Sequence, residues 1–177
     1  MCNIFRTLTA TEIEVRTAQV SKTAKGKTYA LLLLYKDARC DMNMLDEKFT
    51  PYGWQREHIF KDGLCYCTVK IWDAEKQQWI AKEDVGVKSN TEEEKGQASD
   101  AFKRACFNVG IGRELYSAPR IVVELNDNEV TTGKDGTVRM SKFVKFYVSN
   151  IEYDNDRKII DLSITDNQGH IRYSMNK

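Results

Sequence analysis

The sequence is poor in the residues and patterns that would place it outside the ordinary globular class. Two prolines and ten glycines among 177 residues exclude collagen-like and low-complexity material. The longest strongly apolar stretch, residues 29–35, is far shorter than the ~20 residues that a membrane helix requires, and the N-terminus lacks the apolar segment of a secretory signal. The 27 Lys and Arg residues nearly balance the 26 Asp and Glu residues, so the net charge of +1 excludes a bulk polycation. We expect a single domain over residues 1–177, located in the cytoplasm.

The cysteines do not form a recognisable framework. Their number, five, is odd, and their spacing matches no disulfide scaffold. Cys65 and Cys67 lie on one face of a predicted strand, but there is no second pair, and neither His58 nor His170 has zinc-finger spacing. We therefore expect buried free thiols, no metal site and no cofactor.

The hydrophobic pattern predicts an α+β protein with mostly antiparallel strands. Asp62-Gly63 is the residue pair that a two-residue type I′ turn requires, so the strands on either side should form a hairpin. The predicted strands are 12–20, 29–35, a meander of 54–60, 64–72 and 78–87, and then 121–125, 143–153 and 158–165. The predicted helices are 37–49, with Met42, Leu45 and Phe49 as its apolar stripe, and 91–109.

The helix at 91–109 has the clearest pattern in the chain. Asn90 or Thr91 is suited to cap it, and Thr91 with Glu94 has the spacing of a capping box. Gly110 and Gly112 follow its last turn and end it. One apolar stripe runs along it, made of Ala98, Ala101, Phe102, Ala105, Cys106 and Val109.

The opposite side of this helix concentrates positive charge. Lys95, Ser99 and Lys103 follow one flank at a spacing of four residues, and Lys103 and Arg104 lie at the two margins of the outer face with Phe107 between them. From residue 95 to 120 there are five basic residues, including Arg113, and two acidic ones, a local excess of 5 − 2 = +3. This face suits contact with consecutive phosphates of an unpaired strand, with an aromatic ring for base stacking. The alternative is an ordinary amphipathic helix with a solvated basic end.

A second stretch combines aromatic and basic residues. No acidic residue occurs from Thr137 to Asn150, and in a strand Phe143, Lys145 and Tyr147 would share one face. Such a face suits stacking and phosphate contact. The alternative is an ordinary half-buried strand.

The patterns that suggest catalysis are incomplete. Gly26-Lys27-Thr28 imitates the end of a phosphate-binding loop, but Ser21 stands where that loop needs glycine. Asp84 or Asp100 could recruit a metal for nuclease chemistry, but no supporting arrangement of acidic residues accompanies them. We therefore expect a protein that is not an enzyme, and a metal-dependent nuclease is the weaker alternative.

The order of these motifs resembles the Rad fifty-two family of single-strand annealing proteins, and most of all its phage and prophage members. The similarity covers about residues 28–120. The matching segments are Leu45-Asp46-Glu47-Lys48-Phe49, Tyr52-Gly53-Trp54, Glu83-Asp84-Val85-Gly86, Asp100-Ala101-Phe102-Lys103-Arg104-Ala105 and Gly110-Ile111-Gly112-Arg113-Glu114-Leu115-Tyr116. Residues 121–177 form a C-terminal extension that matches no motif of the family.

The resemblance implies both a fold and a function. The fold is a β-β-β-α core, a three-stranded meander packed against a long helix, whose subunits assemble into rings or helical arcs. The function is ATP-independent binding and annealing of single-stranded DNA in a basic groove, in homologous recombination and repair. The implied partners are an exonuclease and a single-strand-binding protein, and the implied location is the nucleoid of a bacterial cytoplasm. The implied DNA contacts are Lys103, Arg104, Lys95, Arg39 and Tyr52, to which we add Phe107 and Arg113 from the charge and stacking pattern.

Overall fold

The computed structural model describes residues 5–87 and 93–176, and for residues 93–95 it describes the backbone alone. In these ranges the helices are α1, Ala38–Phe49, and α2, Glu93–Val109. The strands are β1, Glu14–Lys22; β2, Thr28–Tyr35; β3, Trp54–Lys61; β4, Leu64–Asp73; β5, Gln78–Gly86; β6, Ile121–Leu125; β7, Val130–Thr132; β8, Val138–Met140; β9, Phe146–Tyr153; β10, Ile159–Asp166; and β11, Ile171–Ser174. The predicted α+β class, with a three-stranded meander and a helix against it, is confirmed.

The chain divides into two compact units. The first comprises Met1–Thr7 and Lys36–Arg113, and the second comprises Leu8–Tyr35 and Glu114–Lys177. Residues 28–35, which the resemblance includes in the core, form β2 and belong to the second unit.

In the first unit, α2 packs on one face of the antiparallel sheet β3-β4-β5. The alternation along β4 turns Cys65, Cys67 and Val69 to that face, where each is fully buried. The middle of the predicted apolar stripe of α2 is also fully buried, namely Ala101, Phe102, Ala105 and Cys106. Asp62 and Gly63 both have positive φ, 53° and 75°, as the predicted type I′ turn requires. The predicted caps Asn90 and Thr91 lie outside the described residues.

The described cysteines of this unit, Cys40, Cys65, Cys67 and Cys106, are buried free thiols, as predicted. Burial raises the pKa of the Cys67 thiol to about 12, so it stays protonated near neutral pH. None of the described helices is long and apolar enough to cross a membrane.

The stripe predicted for α1 is wrong in detail. Its buried residues are Cys40, Asp41, Met44 and Leu45, whereas Met42 and Phe49 are half-buried. The buried face is shifted toward Asp41, whose carboxylate is fully buried because it is paired with the buried Lys36.

The second unit is a six-stranded antiparallel sheet in the order β11-β10-β9-β1-β2-β6. Its core draws on both halves of the chain, since Leu32 and Val123 are buried, and so are Leu162 and Ile164. Arg172 on β11 links distant segments, because its guanidinium donates to Glu129 at 2.6 Å, to Asp166 at 3.2 Å and to the Glu124 carbonyl at 2.8 Å.

Three features of this unit differ from the prediction. No strand is predicted between residues 125 and 143, where the structure has the hairpin β7–β8, and β11 is not predicted either. The strand predicted at 143–153 begins only at Phe146, because residues 141–144 form a turn closed by the Val144 amide on the Ser141 carbonyl at 3.1 Å.

Candidate nucleic-acid interface

The candidate DNA-binding residues of α2 lie on two different sides of the helix. Arg104 is on the side of β5, where its Nε donates to Asp84 Oδ1 at 3.1 Å. Its side chain remains 45% exposed. Asn108, one turn further along α2, donates to Asp84 Oδ2 at 3.1 Å. The Asp84 carboxylate therefore orients Arg104 and offsets part of its charge.

Lys103 is half-buried and lies on the side of α1. The carbonyl of Lys103 accepts a hydrogen bond from Lys36 Nζ at 3.2 Å. Since Lys36 is two residues before the first residue of α1, this bond places the beginning of α1 against the middle of α2.

Lys36 is a buried cation beneath the outer face of α2. It is 1% exposed, it forms an ion pair with the fully buried Asp41, and its Nζ lies 4.2 Å from the centre of the Phe107 ring. Burial raises the pKa of Asp41 to about 6, although the positive charges of Lys36 and Lys103 act to lower it. One side of the Phe107 ring is thus occupied by a cation–π contact, and only the rest of this half-buried ring is available to a base.

Arg39 lies on the first turn of α1. Asp37 caps this helix by accepting from the Cys40 amide at 2.8 Å, and it also accepts from Arg39 Nε at 3.1 Å. The Arg39 side chain is 83% exposed. Its outer guanidinium nitrogens therefore face solvent.

The remaining described candidates are Tyr52 and Arg113. Tyr52 is 93% exposed, but it follows the end of α1, whereas Arg39 lies on the first turn, about 15 Å from Phe49 along the helix axis. Arg113 caps the C-terminus of α2, where its guanidinium donates to the carbonyls of Phe107 at 2.6 Å and Asn108 at 2.7 Å. Its charge therefore stabilises the negative end of the helix dipole. The Lys95 side chain lies outside the described part.

Sequence reasoning missed the residues that support the interface. Lys36, Asp41 and Asp84 hold the basic residues in place, yet Lys36 simply follows a strand, and a lysine there gives no sign of burial. The position of Asp41 does indicate burial, because Asp41 precedes the buried Met44 and Leu45 by three and four residues, the spacing of one helix face. Among the described residues, no group of three or more His, Cys, Asp or Glu side chains is placed to hold a metal ion.

Comparison with known proteins identifies two similar sequences, and no family model matches the chain. The chain is 34% identical over 105 residues to the single-stranded DNA-binding protein DdrA of Deinococcus deserti, which covers 58% of this chain and 51% of that protein. It is 34% identical over 103 residues to the protein of the same name from Deinococcus radiodurans, which covers 57% of this chain and 48% of that protein. The chain thus spans about half the length of the curated relatives it matches.

Proposed function

We propose that this chain binds single-stranded DNA through Lys103 and Arg104 of α2 together with Arg39 of α1. The observation that carries the proposal is the exposure of Arg39 and Arg104, together with the half-buried Lys103 beside Arg104 on α2. The names of the two similar proteins support the choice of ligand. Phosphate contacts carry no sequence information, so such a surface suits binding without sequence preference.

We further propose that the chain acts as an annealing protein of the Rad fifty-two type in recombination and repair, without catalysis and without ATP. Cations that contact phosphates hold a strand with its bases exposed, and Watson–Crick pairing with a second strand then tests complementarity. Assembly of subunits into rings or arcs would repeat the basic surface along one strand. Weak contacts then add through effective concentration, which explains how a protein of net charge +1 binds a polyanion.

Binding of a fluorescent oligonucleotide over a range of salt concentrations tests the interface. The double substitution Lys103→Ala and Arg104→Ala should weaken binding to all sequences equally and reduce the slope of log K against log salt by about 1.4, the value for two lost phosphate contacts. Asp84→Asn should strengthen binding, because it removes the carboxylate that pairs with Arg104. The control is Lys22→Ala with Lys25→Ala, which removes the same charge from exposed positions of the other unit. Equal effects of the two double variants would overturn the assignment.

Annealing is tested separately from binding. Two complementary labelled oligonucleotides should pair faster with the protein than without it, in the absence of ATP. Slower pairing would instead identify a plain single-stranded DNA-binding protein that protects its ligand.

A further inference from the structure

An exposed row of side chains crosses the sheet of the second unit. Glu14 of β1 lies opposite Tyr35 of β2 on one side and opposite Tyr147 of β9 on the other. Directly opposed residues of an antiparallel sheet share a face, so the two tyrosine rings lie on the same face with Glu14 between them. Tyr35 is 38% and Tyr147 49% exposed. We call Tyr35, Glu14 and Tyr147 the tyrosine row.

Basic residues surround the tyrosine row. Arg16, two residues along β1, forms an ion pair with Glu14 at 2.7 Å, and its guanidinium lies 5.1 Å from the centre of the Tyr35 ring. Lys145 is exposed and precedes Tyr147 by two residues. The only carboxylate within the row is therefore already paired.

We propose that the tyrosine row is a second contact surface for single-stranded DNA, with bases stacked on Tyr35 and Tyr147 and phosphates held by Arg16 and Lys145. The inference rests on the proposed function, since it assumes the same ligand. Aromatic rings interleaved with cations on an exposed sheet suit unpaired nucleic acid, because every base has a face to stack while the backbone needs positive charge. Two interstrand spacings separate the rings by about 10 Å, well beyond the ~3.4 Å step between stacked bases. The rings therefore contact different bases of one strand.

Photocrosslinking provides the direct test. A single-stranded oligonucleotide containing 5-iododeoxyuridine is irradiated with the full chain, and modified peptides are identified by mass spectrometry. Adducts are expected on Tyr35 and Tyr147, and they should persist in the Lys103→Ala, Arg104→Ala variant at a protein concentration that restores binding. Binding without adducts at either tyrosine would overturn the proposal.

Binding measurements separate stacking from charge. Tyr35→Ala with Tyr147→Ala should weaken binding to a long oligonucleotide about tenfold or more, while leaving the salt dependence unchanged because no phosphate contact is lost. Tyr35→Phe with Tyr147→Phe keeps both rings and should bind as the wild type does. Ile171→Ala, which removes an exposed apolar side chain elsewhere on the same sheet, controls for a general loss of surface area.

Glu14→Gln should raise the affinity severalfold at low salt, because it frees Arg16, and it gives a readout even if the alanine pair does not fold.

The outcomes distinguish the two proposals. Loss of binding on removal of Lys103 and Arg104, with no effect of the tyrosine and Glu14 substitutions, would leave the proposed function standing and overturn the tyrosine row. A wild-type chain that binds no single-stranded DNA would overturn both.

Discussion

At the residue scale, the ion pair of Lys36 and Asp41 links the core of the first unit to its candidate interface. Both side chains are almost completely inaccessible, and Lys36 also contacts the Lys103 carbonyl and the Phe107 ring. Removing one partner of a buried ion pair leaves an uncompensated charge, which costs far more than losing an exposed pair. In the proposed function Lys36 would therefore act by position alone, because it is too buried to touch a bound strand.

We expect Lys36→Met to destabilise the protein by about 3–5 kcal/mol at pH 8, where Asp41 would be left charged and alone. In the native chain the pKa of Asp41 is about 6 when folded, above its ordinary 3.8. Its favourable contribution to stability is therefore present below pH 3.8 and is lost as the pH rises through about 6. Without Lys36 this pKa rises further, so the cost of the substitution should be smaller at pH 5 than at pH 8. Chemical denaturation at the two pH values measures both effects.

Two variants serve as controls for this prediction. Lys70→Met breaks the partly exposed pair of Lys70 with Glu57 and should cost about 1 kcal/mol or less, with no such pH trend. Asp41→Leu added to Lys36→Met should recover much of the lost stability, because it removes the stranded charge. A cost for Lys36→Met that does not change between pH 5 and pH 8 would contradict the role of Asp41.

At the scale of elements, β5 and α2 of the first unit approach each other closely at Gly86. A Cβ atom on Gly86 would lie 2.0 Å from the Gln97 carbonyl oxygen and 2.8 Å from the Ala101 amide nitrogen. Gln97, itself buried, donates to the Gly86 carbonyl at 3.2 Å. The glycine that ends the Glu83-Asp84-Val85-Gly86 segment is therefore required by packing, since only a residue without a side chain lets the helix lie this close.

Gly86→Ala should destabilise the protein by about 3 kcal/mol or more, because backbone atoms of α2 must move to admit the methyl group. Gly63→Ala is the matched comparison. Its Cβ would meet nothing within 4 Å, so its cost comes only from the positive φ of 75° and should be about 1–2 kcal/mol. Thermal unfolding of both variants tests the difference, and equal costs would refute the packing argument.

The helices and strands predicted correctly are those whose signal lies within a short stretch of sequence. The meander was predicted from the alternation of Cys65, Cys67 and Val69 and the Asp62-Gly63 turn, and α2 from its apolar stripe and the glycines that follow it. The strand β11 failed because it has four residues and depends on pairing with β10. In the candidate site, Arg104 follows from the pattern of α2 and Arg39 from the resemblance, whereas the contacts of Lys36 and Asp84 depend on distant segments coming together.

At the scale of the whole molecule, charge and assembly have to be considered together. The net charge of +1 gives the chain no long-range attraction to a polyanion, and its basic surfaces are small. Under the proposed function one chain would present few phosphate contacts, and tight binding would come from many copies on one strand. The same reasoning predicts a steep dependence of affinity on oligonucleotide length.

Light scattering coupled to size-exclusion chromatography should therefore give a mass that is a multiple of the 20.4 kDa chain, either for the free protein or on addition of a long oligonucleotide. The Lys103→Ala, Arg104→Ala variant should keep any assembly that forms without DNA, because the proposed contacts are with phosphate and not with another subunit. Assembly that depends on DNA should be weakened in this variant and should fail with oligonucleotides too short for two subunits. A monomer in every condition, combined with tight binding, would show that one chain alone supplies the interface and that assembly plays no part in its affinity.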